Sequence, residues 1–171
     1  MTTQHHQARA LFEQGIQAYE SGQLTQAETC FAKALELAPE RPSVLLNLGV
    51  VKAALGQTTD AIDLLLRAAK LEPEIIETWV HLGATYAETG QFPLALEALD
   101  RALALQPQTL IALRHKASVL RELGRWSESA QSHKLLQQHR GRDDFTHYML
   151  GTVLHDDSGW AQVTPAPPAR Y

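Results

Sequence analysis

The chain has 171 residues, about one domain's worth, with 44% hydrophobic and 20% charged residues, which excludes a disordered polymer. Ala (24) and Leu (26) far outnumber Val (7) and Ile (5), so helix formers displace the β-branched residues of strands and an all-β fold is excluded. The net charge of −4 divides unevenly: residues 1–109 sum to −6, residues 110–142 to +5 and residues 143–171 to −3.

No apolar run reaches the roughly 18 residues of a membrane span, and Met1–His6 shows no secretory leader pattern. Cys30 is the only cysteine, so no internal disulfide forms. A reducing, cytoplasmic location is the expectation.

Residues 1–7 are polar and read as a flexible N-terminus. From there a period of 34 residues governs the chain. Pro39, Pro73 and Pro107 keep it, as do Gly15, Gly49 and Gly83. Gly22, Gly56, Gly90 and Gly124 form another series; Ala27, Ala61 and Ala95, and Ala34, Ala68 and Ala102, form two more. Proline stops a helix, and a left-handed glycine joins two of them. A mid-helix glycine costs about 1 kcal/mol relative to alanine, which fits a partner helix packed too close for a Cβ.

In chain order, this predicts first helices over about 9–21, 42–55, 76–89 and 110–123. Second helices follow over about 24–37, 58–71, 92–105 and 126–139. A capping helix over 144–155, with Phe145, Tyr148, Met149 and Val153 at helical spacing, would cover the last repeat. Residues 156–171, ending in a Pro/Ala-rich stretch, read as a tail or linker.

This pattern resembles the tetratricopeptide repeat family. Its third copy fits best, through Trp79, Leu82-Gly83, Tyr86, Gly90, Ala95, Leu99, Ala102 and Pro107. Gln14 and Lys52 depart from the pattern in the first two copies, and Lys116, His133 and Gly141 in the fourth. The resemblance implies an all-α fold: a right-handed superhelical solenoid of antiparallel helix pairs. Its domain covers 8–155, with repeats at about 8–41, 42–75, 76–109 and 110–143.

No catalytic or phosphate-binding motif is present, and no His pair shares a helix face at i, i+4. His155-Asp156-Asp157-Ser158 are neighbours in sequence and cannot hold a triad's geometry. The reading is no enzyme, no cofactor and no metal.

The family binds partner segments in a groove lined by its first helices. At groove phases stand Phe12, Ile16 and Tyr19, then Leu46, Asn47 and Val50. Val80, His81 and Ala84 follow in the third repeat, and Arg114, Ser118 and Arg121 in the fourth. A chaperone-type clamp of two Lys, two Asn and one Arg is not reproduced: Phe12, Ile16, Asn47, Glu77 and His81 hold those places, and only Asn47 matches.

The expected function is a protein-interaction scaffold for a peptide, apolar toward the early repeats and acidic near Arg114 and Arg121. Membrane is excluded as a partner. Nucleic acid is disfavoured, since the basic block has no interleaved aromatic besides Trp126. Two alternatives stand beside it. One is a targeting module for an enzyme with a methyltransferase-like domain beyond Tyr171; the other is a self-association module forming a homo-oligomer.

Overall fold

The computed structural model describes residues 2–139, which are helical apart from short turns. They divide into two compact units, residues 2–72 and residues 73–139. The predicted capping helix 144–155 and tail 156–171 lie outside the described residues.

The first unit holds α1 (Thr2–Glu20), α2 (Leu24–Leu37), α3 (Pro42–Ala54) and α4 (Thr58–Leu71). Helix α1 pairs with α2, α3 with α4, and α2 packs on α3. The second unit holds α5 (Ile76–Glu88), α6 (Phe92–Leu105), α7 (Leu110–Glu122) and α8 (Trp126–His139). Its pairs are α5 with α6 and α7 with α8, joined by α6 on α7 and by α5 on α7. The described residues are therefore all-α, in consecutive antiparallel hairpins.

Local chemistry sets the helix ends. Gly22 has φ +74°, its N–H donates to Tyr19 O at 2.9 Å, and the Gln23 N–H reaches back to Ala18 O at 2.8 Å. That is a Schellman closure, which satisfies two terminal carbonyls and reverses the chain. Gly56, Gly90 and Gly124 repeat it with φ of 76°, 73° and 69°. The second helices end before proline: Ala38, Glu72 and Gln106 have φ of −141°, −135° and −140°, as a residue ahead of proline prefers. In the second unit the Trp79 indole N–H also donates to Pro73 O at 2.7 Å and ties α5 to its entry turn.

The hairpin cores show why glycine recurs mid-helix. A Cβ on Gly83 would stand 2.6 Å from Leu99 Cγ, and one on Gly15 2.6 Å from the Phe31 ring. Phe31 also meets Phe12, with ring centroids 5.5 Å apart and planes tilted by 54°. The fourth hairpin differs. Ala117 holds the glycine place and His133, opposite it in the repeat, is exposed. Ser129 stands where the other hairpins have Ala27, Ala61 and Ala95, and its hydroxyl donates to Ala117 O at 2.8 Å.

One boundary departs from expectation. Helix α1 begins at Thr2 and takes in residues read as a flexible N-terminus. Those residues contain no Gly or Pro to stop a helix, and their polar side chains, exposed over 4–7, leave no apolar period to reveal it.

Candidate functional site

The twelve groove-phase residues fall into two groups. In the first unit, α1 carries Phe12, Ile16 and Tyr19, and α3 carries Leu46, Asn47 and Val50. Phe12, Ile16, Leu46, Asn47 and Val50 are all buried, and Tyr19 is half-buried. Phe12 is partly a core residue, since its ring lies on Phe31 of α2. The Asn47 side-chain amide donates to Ser43 O at 2.8 Å, one turn earlier. Helix α3 is buried at every position from Pro42 to Val51, so it presents no open stripe in this structure.

In the second unit, Val80 on α5 is buried, while His81 and Ala84 are half-buried. On α7, Arg114, Ser118 and Arg121 are exposed at i, i+4 and i+7. These three form the part of the predicted site that stands open to solvent. His115, beside Arg114, was not among the predicted residues. It lies 34 residues after His81, and that spacing was the available signal.

Electrostatics tie the two imidazoles together across the packed helices α5 and α7. Burial, aided by the charge of His115, pushes the His81 imidazole down to about 4. Burial first and Arg114 second hold His115 below the ordinary imidazole range. Both rings are thus neutral at pH 7, and the positive charge of this face comes from its arginines. Among the described residues no group of three or more His, Cys, Asp or Glu is placed to hold a metal ion. No helix among them is long and apolar enough to cross a membrane.

A model of the tetratricopeptide repeat family matches residues 12–74 and 82–138. The chain belongs to the tetratricopeptide repeat family. Its fold is similar to that in the crystal structure of MamA, with a TM-score of 0.75 at 20% identity over 78% of either chain. MamA from Desulfovibrio magneticus RS-1, residue 41 to the end, gives 0.75 at 21% identity, over 80% of this chain and 77% of that one. The Arabidopsis OM64 TPR domain gives 0.68 at 17% identity, over 70% of this chain and 98% of that one. At these identities the likeness is one of fold. Comparison with curated protein sequences gives no significant match.

The repeat family accounts for where the chemistry lies. Core phases fix the hairpins, and the remaining phases of the first helices are free to vary. In this tetratricopeptide repeat chain they vary from apolar on α1 and α3 to cationic on α7.

Proposed function

We propose that this chain is a non-enzymatic interaction scaffold that binds a partner peptide segment through its first-helix faces. One observation carries the reading: Arg114, Ser118 and Arg121 stand exposed in a row on α7. Two guanidinium forks and a hydroxyl one turn apart suit carboxylates of an extended acidic segment, because arginine binds carboxylate bidentately. Val80, His81 and Ala84 extend this face onto α5. Phe12, Ile16, Tyr19, Leu46, Asn47 and Val50 hold the same phases in the first unit and supply the apolar part. Mostly buried as they stand, these need a local rearrangement to touch a partner, whereas the α7 residues do not.

The test is calorimetric titration of the full chain with a blocked hexa-aspartate peptide at low and high salt. Arg114→Glu with Arg121→Glu should weaken binding by about tenfold or more at low salt, with the difference shrinking as salt rises. Equal affinity of wild type and the double variant for hexa-aspartate would overturn the reading.

A further inference from the structure

Lys52 of α3 fills the seam between α2 and α4. Its Nζ lies 2.8 Å from Glu28 Oε1 of α2 and 3.1 Å from Asp60 Oδ2 of α4, and it also donates to Gln57 Oε1. Two repeat periods later, 68 residues on, the matching places hold Leu120, Leu96, Glu128 and Arg125. There the seam is open. A cleft of about 710 Å³ lies between α6, α7 and the start of α8, with Pro93, Leu96, Leu120 and Leu123 among its lining. A leucine at 120 cannot span the gap that a lysine spans at 52. Lys116, which replaces a repeat leucine, does not fill it either, because its ammonium pairs with Asp100 of α6. The size lies within the roughly 300–1,000 Å³ of ordinary ligand sites.

Charge indicates what belongs there. The cleft walls carry Glu97, Asp100 and Glu128 against Arg101, Lys116 and Arg125, a balance reached with nothing bound. Two of these pairs are closed: Lys116 on Asp100, and Arg125 on Glu128 through two 2.7 Å hydrogen bonds. At the matching places of the filled seam, Glu28 and Asp60 face Lys33 and Lys52, and neutrality there needs Lys52. An ion entering the open cleft would lose water without finding an unmatched counter-charge. An uncharged group would gain the apolar floor. The apolar surface also continues past the cleft: Leu94 is 42%, Leu123 37% and Trp126 66% exposed, each lining it or next in sequence to a lining residue. That margin exceeds what a small molecule needs, and exposed tryptophan is a favoured anchor between proteins.

We infer that this cleft is a second docking site, which takes the uncharged apolar side chains of a partner protein segment. Its lining residues are different from the arginines of the α7 face.

The test uses the full chain and amide-resolved NMR, with N-acetyl-leucine methylamide and its lysine and aspartate counterparts as probes. A blocked hexapeptide with two leucines at i and i+3 is the fourth probe. The leucine probe should shift Leu96, Leu120 and Leu123, and the charged probes should not. The hexapeptide should bind about tenfold tighter than the single residue, and Trp126→Ala should remove that gain. Leu96→Glu with Leu120→Lys rebuilds the Glu28–Lys52 plug and should weaken both apolar probes about tenfold. If that variant is misfolded by circular dichroism, Leu123→Glu at the exposed margin replaces it.

The inference fails if no shifts centre on the cleft, if a charged probe binds as well as leucine, or if the plugged variant keeps its affinity. A hexapeptide no tighter than the single residue would make the cleft a small-molecule site and overturn the partner assignment.

Discussion

The Ser129 hydroxyl donates to the Ala117 carbonyl across α7 and α8, at a place where the other three hairpins have only alanine. It couples two helices whose apolar lock is weakened, since His133 is exposed where Phe31, Leu65 and Leu99 are buried. A net hydrogen bond contributes about 1 kcal/mol. Ser129→Ala should therefore lower stability by about that amount. Hydrogen exchange should report the loss in the amides of α8 first. Unchanged protection in α8 would mean that the bond does not hold the hairpin.

Gly83 and Gly90 should both resist alanine, for different reasons. A Cβ at Gly83 would meet Leu99 Cγ at 2.6 Å and the unyielding Ala95 O at 3.2 Å, an overpacking that costs about 1–3 kcal/mol. At Gly90 nothing lies within 4 Å, but φ is +73°, and a side chain there costs about 1 kcal/mol through the backbone alone. A double-mutant cycle with Leu99→Ala separates the two. Gly83→Ala should couple strongly to it, and Gly90→Ala should add to within about 0.5 kcal/mol. Equal coupling at both sites would contradict this account.

His81 makes stability depend on pH. Its imidazole titrates near 4 in the folded chain and near 6.5 when unfolded, so between these values the unfolded chain holds more protons. Stability from this group is complete above about pH 6.5 and is lost as pH falls toward 4. The depressed His115 acts in the same direction. Urea midpoints should fall from pH 7 to pH 5, and His81→Gln should flatten that slope. An identical slope in the variant would remove His81 as the cause.

The Lys52 side chain is largely buried, and its hydrogen bond to Glu28 is the leading influence holding its ammonium above the ordinary lysine range. Lys52→Met keeps the aliphatic stem and should cost under about 1 kcal/mol, mostly at low salt. Lys52→Ala also removes the stem's packing and should cost about 1–2 kcal/mol at any salt. Urea denaturation of both variants at two salt concentrations checks the difference.

Helix ends were legible because their causes are local. The predicted spans 24–37, 58–71, 92–105 and 126–139 coincide with α2, α4, α6 and α8, each entered through a left-handed glycine turn. The start of α1 was not legible, because exposed polar residues without Gly or Pro carry no period. Exposure of the site residues was not legible either. Phe12 and Arg114 share a repeat phase, yet one lies on Phe31 and the other meets water, a difference set by packing. The open seam at Leu120 was within reach of comparison with Lys52, but Lys116 drew attention as part of a basic surface. Its pairing with Asp100 appears only in three dimensions.

The glycine turns and proline stops have a genetic consequence. Each hairpin begins and ends with its own punctuation, so a block of 34 codons is the natural unit of gain or loss. Removing residues 42–75 would join Arg41 to Ile76, and the chain would enter the next first helix in phase. A deletion of any other length would put core alanines on the outside. Repeat number in this gene is therefore free to change by unequal crossing-over, while the interior of each block is held to single substitutions.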